Sequence, residues 1–413
     1  MRIFISILLF IFANISNAQI FTQLPRGTFT EVARGSISFS DIDNDGDQDV
    51  FLTGSANSGG FRADLYENDG NGNYSLKAGS QIFGASSSAS AFGDIDNDGD
   101  DDLIVAGVTG FSATTKLYKN NGLGDFFEVS GTPFIGVSSG AVAFSDIDND
   151  QDLDLLITGS KGIASDVTKL YLNDSLGNFT EVPNIPFDSV SFSSIAFADI
   201  DGDNDEDVFI SGASGFSPGI AKLYKNDGTG SFTEVIGTPF TGVFDGGAAF
   251  SDVDNDNDLD LFITGNGGAQ GKISILYSND GSGTFLPLAS SPFDPVSSSA
   301  VAFSDVDLDG DNDLLFSGVN LSNFLVTKLY LNDGSANFTE DFNTSFLGVE
   351  NGAMAFADID GDNDEDVLIS GLGGFFEETY LYINNTATAS SLFVKNRVNL
   401  RLYPNPADSE LFI

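Results

Sequence analysis

Read for its apolar and polar positions, the chain is one phrase repeated. An apolar lead-in runs into a loop of alternating Asp, and an apolar run follows that ends near Gly. A spacer leads to Lys-Leu-Tyr-x-Asn-Asp-Gly and then to Phe-Thr-Glu-Val. The loops begin at Asp41, Asp94, Asp146, Asp199, Asp252, Asp305 and Asp358, so the spacings are 53, 52, 53, 53, 53 and 53 residues. A period this constant marks one structural unit per copy. Each unit carries four short strand signals, in the third copy at Ala141–Ser145, Leu155–Thr158, Thr168–Leu172 and Asn178–Val182. The second is a continuous apolar run, which suits a strand buried on both faces. The third and fourth are joined by Asn-Asp-Gly-x-Gly or a variant of it, a hairpin turn that needs positive φ.

Four antiparallel strands per unit, seven times over, predict an all-β fold, a seven-bladed β-propeller of four-stranded antiparallel blades over residues 19–385. The chain ends suggest how it closes. A fourth-strand phrase, Phe29-Thr30-Glu31-Val32, precedes the first Asp loop, and none follows Tyr380-Leu381-Tyr382 in the seventh copy. The N-terminal strand is therefore expected to pair into the last blade, sparing two open sheet edges.

Every loop has Asp at positions 1, 3, 5, 7 and 9. The first holds Asp41, Asp43, Asp45, Asp47 and Asp49; the second Asp94, Asp96, Asp98, Asp100 and Asp102. The third holds Asp146, Asp148, Asp150, Asp152 and Asp154; the fourth Asp199, Asp201, Asp203, Asp205 and Asp207. The fifth holds Asp252, Asp254, Asp256, Asp258 and Asp260. The sixth holds Asp305, Asp307, Asp309, Asp311 and Asp313, and the seventh Asp358, Asp360, Asp362, Asp364 and Asp366. Alternating carboxylates on a tight loop supply the hard oxygen ligands Ca²⁺ requires. Without a counter-ion such neighbours repel by roughly 1–4 kcal/mol per pair. Up to seven Ca²⁺ are therefore expected, one per blade, in a structural role. Position 6 must turn sharply; it is Gly46, Gly99 or Gly310, with Asn204, Asn257 and Asn363 as tolerant substitutes and Gln151 as the exception. An EF-hand is excluded. Its position 12 needs Glu, and here that position is Leu52, Val105, Ile157, Ile210, Ile263, Phe316 or Ile369.

The string Phe92-Gly93-Asp94-x-Asp-x-Asp-Gly-x-x-Asp resembles the FG-GAP/VCBS repeat, the propeller unit of integrin α subunits and of many bacterial surface proteins. The resemblance covers about residues 28–385. It implies calcium ligation by side chains at positions 1, 3, 5 and 9 and by the backbone carbonyl at position 7. It also implies that partners bind on the face opposite the calcium loops.

Charge changes the picture less than its size suggests. The net charge is −45, but the seven loops hold 35 of the 61 acidic residues, and the other 26 against 16 Lys and Arg leave only about −10. No basic stripe exists to meet phosphates, so nucleic acid is excluded as a partner. Arg2, the apolar run Ile3 to Ile15 and Ser16-Asn17-Ala18 read as a cleaved signal peptide, residues 1–18, leaving Gln19 first. With no transmembrane segment in the mature chain and no Cys, an exported protein must be held together by something other than disulfides. After a linker at 386–398, Leu402-Tyr403-Pro404-Asn405-Pro406 resembles the opening of the type IX secretion C-terminal sorting domain, truncated at 399–413. The resemblance implies the type IX machinery as a partner and an extracellular or outer-membrane surface location. A monomer is expected.

Catalysis finds little support. The chain has no His and no Cys, which removes imidazole bases, thiol nucleophiles and the usual zinc ligands. Lys116, Lys169, Lys222 and Lys328 share one repeat position and belong to the scaffold. Arg62, Lys161 and Lys272 fall off the lattice, between second and third strands on the face opposite the calcium loops, and are candidate ligand-binding residues. Glu377, Glu378, Asp245 and Glu350 are placed in other loops of that face, and Phe111, Phe216 and Phe375 share a slot read as packing. The favoured function is non-catalytic adhesion or glycan or protein binding at the cell surface. A polysaccharide lyase or hydrolase on a calcium-stabilised propeller and a purely structural surface component are the alternatives.

Overall fold

The computed structural model describes residues 19–162, 165–215, 219–288 and 292–386. The expected leader at 1–18 and the tail from 387 onward lie outside them. The fold is all-β; among the described residues its one helical element is a short 3₁₀ turn at Gly268–Gln270. Among the described residues no helix is long and apolar enough to cross a membrane.

The third unit shows the plan. Strands Val142–Ser145, Asp154–Ser160, Asp166–Leu172 and Thr180–Glu181 form one antiparallel sheet in sequence order. The Asp loop joins the first strand to the second, and Ser145 pairs with Asp154 where the loop closes. The second strand carries a continuous apolar run because both its faces are covered; Leu155, Leu156 and Ile157 are fully buried. The same order holds for strands Ser191–Ala198 through Thr233–Glu234 and for Ser86–Gly93 through Phe127–Glu128. In the fifth and sixth units, Val296–Ser297 bonds to both neighbours and merges two such sheets into one of nine strands.

The last unit corrects an expectation. The strand that pairs with Glu377–Asn384 is Phe21–Gln23, with Phe21 opposite Asn384. Phe29 to Val32 does not do this. Val32–Ala33 pairs instead with Asp49–Ala56 of the first unit.

Apolar side chains from successive sheets interleave. One cluster joins Ile95 and Ile104 to Leu155 and Ile157, and another joins Leu156 and Leu170 to Val208 and Ile210. The first unit packs on the last in the same way, with Val50, Leu52 and Tyr66 against Ile359, Leu368 and Leu381. A polar staple accompanies each contact. The Asn that ends every third strand donates its side-chain amide to the position 2 carbonyl of the preceding Asp loop: Asn120 to Ile42, Asn173 to Ile95, Asn226 to Ile147, each at 2.7–2.8 Å. Asn68 of the first unit closes the series on Ile359 of the last at 2.8 Å.

Candidate functional site

The Asp loops are shaped by their own first residue. Asp41 accepts the backbone N–H groups of Asp45 at 3.0 Å and Gly46 at 2.9 Å, and Asp146 does the same for Asp150 and Gln151. Two residues per loop take left-handed backbone. Position 6 does so as expected, Gln151 included at φ 73°. Position 4 does so as well, through Asn44, Asn97, Asn149, Gly202, Asn255, Leu308 and Gly361. The sequence reading missed this position, where Leu308 masks an otherwise plain Asn/Gly pattern.

The turn points the carboxylates of positions 1, 3 and 5 inward. In the first five loops an oxygen from each of these residues lies within 4.8 Å of the other two. In all seven, the position 3 oxygen Oδ1 is buried without a hydrogen-bond partner: Asp43, Asp96, Asp148, Asp201, Asp254, Asp307 and Asp360. A buried, unpartnered carboxylate oxygen facing two more carboxylates fits a hard cation and fits little else. Burial, then the Asp309 and Asp305 charges, push Asp307 up to about 6.

Positions 7 and 9 differ from these. Position 7 bonds outside its own loop: Asp100 accepts from Asn44 of the preceding loop at 2.6 Å, and Asp152 from Ser175 at 2.9 Å. Position 9 begins the second strand and ties the loop to it. Asp49 Oδ1 accepts the Asn68 N–H at 2.7 Å and Oδ2 the Ile42 N–H at 3.1 Å. These bonds favour the ionised form, yet burial outweighs them. Asp49, Asp102, Asp154, Asp207 and Asp260 are pushed up to about 7, and Asp313 and Asp366 to about 8. Each Asn that holds position 9 also staples the neighbouring unit, so loop order and contact between units are mechanically joined.

Two loops carry an internal cation. The Lys119 ammonium lies 2.5 Å from Asp96 Oδ2, and Lys225 pairs with Asp201 in the same manner. The scaffold lysines behave as read: Lys116 pairs with Glu128 and Lys169 with Glu181, across the third and fourth strands.

The first strands of successive units lie against one another and are the inner strands; their far ends are different. Seven residues before each loop stand Arg34, Ser87, Ser139, Phe192, Asp245, Ser298 and Asn351. All are left-handed, with φ from 47° to 55°. Their backbones bond in sequence: Arg34 N–H to Asn351, Asn351 to Ser298, Ser298 to Asp245, Asp245 to Phe192, Phe192 to Ser139, Ser139 to Ser87. The last step runs from the Ser88 N–H to the Arg34 carbonyl at 3.3 Å. Together they line a cavity of about 230 Å³.

The charges proposed for this face from sequence are placed as read only in part. Arg62 and Lys272 lie in the third strands, not in the preceding loops, whereas Lys161 lies between the second and third strands of its unit. Arg62 donates to Ser58, and Lys272 to Asn320 and Asn323 of the next unit. Among the described residues the three share no partner. Glu350 and Glu377 begin strands, and Glu378 pairs with Arg26 at 2.9 Å. Asp245 alone of that group belongs to the rim. Phe111 and Phe375 do not pack: they are 107% and 95% exposed. Phe216 lies outside the described residues.

Seven Asp loops on repeated four-stranded antiparallel sheets define an all-β repeat protein by architecture. The family model of the FG-GAP-like repeat matches residues 41–105, 94–157, 146–210 and 252–316, more than half of the chain, and the chain belongs to that family. No curated protein matches it. Among solved structures, a mutant Aleuria aurantia lectin bound to alpha-methyl-L-fucoside is 12% identical over 76% of this chain and 96% of the lectin, with a TM-score of 0.42. AofleA of Arthrobotrys oligospora is 11% identical over 76% of this chain and 88% of its own, TM-score 0.42. A neuraminidase-like protein of a flat-faced bat isolate is 12% identical over 76% and 93%, TM-score 0.38. Likenesses this distant carry no argument about what the chain binds.

Proposed function

We propose that the chain is a calcium-stabilised, closed seven-bladed β-propeller of the cell exterior that binds a glycan or protein partner, without catalysis, through the face opposite its Asp loops. One observation carries this reading: the two ends of the inner strands differ in kind. At one end seven loops repeat the same five carboxylates, which suits a structural ion. At the other, one backbone position repeats while its side chain changes from Arg to Ser, Phe, Asp and Asn. A repeat that holds its geometry and varies its chemistry at one central place is built for recognition.

Closure is supported by the pairing of Phe21–Gln23 with the last sheet, by the Asn68 staple, and by the cycle of rim hydrogen bonds. In the loops, residues at positions 1, 3, 5 and 9 would hold Ca²⁺, with position 7 ligating through its carbonyl. The bound ion supplies charge neutralisation and cross-linking. Absence of His and Cys from the whole sequence supports a non-catalytic role. Export by the 1–18 leader and delivery by the type IX machinery through 399–413 complete the proposal.

The test is the calcium-loaded full chain on arrayed glycans and matrix proteins, with and without calcium. Specific capture that disappears when Phe192 is changed to Ala, with melting unchanged, supports the reading. Capture that survives that change but is lost with Leu123→Ala, in the hairpin turn on the Asp-loop side, contradicts it.

A further inference from the structure

The geometry points to the rim around Arg34 as a binding site for a sugar residue that bears a carboxylate, which deepens and rests on the recognition role proposed above for this face.

Backbone strain shows that the rim side chains are retained at a cost. A left-handed non-Gly residue costs roughly 1–2 kcal/mol, which Gly would relieve. Gly is within the repeat's means, because the very next position is Gly35, Gly140, Gly246 or Gly352 in four of the units. Yet none of the seven rim positions is Gly. Strain of this kind, held in place by surrounding structure, gathers at functional sites.

Arg34 sets the charge preference. Most described cations are paired: Arg26, Lys77, Lys116, Lys119, Lys169, Lys222, Lys225 and Lys328 each meet a carboxylate, while Arg62, Lys161 and Lys272 meet none and lie outside the rim. The Arg34 side chain is exposed and, among the described residues, meets none. In an acidic protein, a guanidinium left open at the mouth of a cavity is free to take an outside carboxylate through its two-pronged fork. A phosphate-rich ligand would call for more cations than the one present.

The remaining side chains suit a sugar. Along the bonded cycle, Phe192 and Asp245 each lie three steps from Arg34, on the far side of the cavity. Phe192, 52% exposed, offers an apolar face to the C–H side of a pyranose ring. The Asp245 carboxylate, held by the Ser298 hydroxyl at 2.7 Å, accepts from ring hydroxyls, and Ser87, Ser139 and Asn351 offer both donors and acceptors. A volume of about 230 Å³ admits one such residue at a chain end.

The experiment uses the calcium-loaded full chain and four probes: the methyl glycosides of galacturonic acid and N-acetylneuraminic acid, and the methyl ester of each. Single sugars avoid the calcium sequestration of longer acidic chains. Saturation-transfer NMR titration is expected to show that at least one acid binds tenfold or more tighter than its ester. Arg34→Gln should remove that preference, Arg34→Lys should keep part of it, and Asp245→Asn should weaken binding without removing the preference; melting temperatures serve as the folding control. Equal binding of acid and ester, or an unchanged preference in Arg34→Gln, overturns the inference. If neither acid binds while arrayed glycans or proteins are captured in a Phe192-dependent way, the inference falls and the recognition role stands. If nothing is captured at all, both fall.

Discussion

Removing calcium should reverse the direction in which pH acts on stability. The groups responsible are the position 9 aspartates, which are 1–2% exposed and begin the second strands. In the unfolded chain they ionise near ~3.9. Without an ion, burial raises them to about 7, and Asp313 and Asp366 to about 8. The folded state then holds more protons than the unfolded one between those values. Their contribution is fully present below about pH 4 and is lost as pH rises through 7 to 8. One pH unit of such a difference is worth ~1.36 kcal/mol per group. Between pH 5 and pH 7 a single aspartate can therefore withdraw up to about 2.7 kcal/mol, and seven such groups threaten a fold whose whole stability is about 5–15 kcal/mol. Bound calcium inverts the slope, because the ion binds only ionised carboxylates and is released as they protonate. The assay is thermal unfolding by circular dichroism from pH 5 to pH 8, in calcium-depleted buffer and in excess calcium. Melting of the depleted protein should fall by at least about 10 °C over that range, while that of the loaded protein holds or rises. Two parallel curves, or a depleted protein that gains stability with pH, would refute the reasoning.

Other consequences are open to single substitutions. Lys119→Met and Lys225→Met remove the ammonium beside Asp96 and Asp201, and should tighten calcium at those two loops about fivefold, from ~1 kcal/mol of relieved repulsion. A stepwise calcium titration whose weakest steps do not move would contradict this. Asn226→Leu leaves the Ile147 carbonyl without its donor and should cost about 1–3 kcal/mol in urea unfolding; a neutral result would deny the staple its role. Ser139→Gly relieves a left-handed residue and should raise stability by roughly 0.5–1 kcal/mol, net of the greater chain entropy of Gly. A loss there would mean the rim is not strained.

Much of this architecture is legible in the repeat itself. Apolar runs bounded by Asp and Gly place the second strands well, because a strand covered on both faces reads as consecutive apolar residues rather than an alternation. The Asp loops stand out because five carboxylates recur in one spacing. The closing strand is harder, since Phe21-Thr22-Gln23-Leu24 and Phe29-Thr30-Glu31-Val32 carry nearly the same pattern. Spacing separates them: Phe179, Phe232 and Phe338 each stand 20 residues before the next Asp loop, as Phe21 does, whereas Phe29 matches Phe187 and Phe240 at 12. Phe111 and Phe375 recur in one slot, yet a loop side chain has no periodicity to set its direction, and both face solvent. The rim hides for the opposite reason. Its backbone repeats while its side chains keep no single residue type, and only the fixed offset of seven residues from each loop gives it away.

The central claim is that each loop holds one calcium ion and that these ions keep the ring intact. Native mass spectrometry of the full chain in calcium, with parallel elemental analysis, counts them directly. Seven ions per chain, lost together with cooperative folding when calcium is stripped, is the expected result. A folded chain that carries none, and that melts at the same temperature with and without calcium, would contradict it.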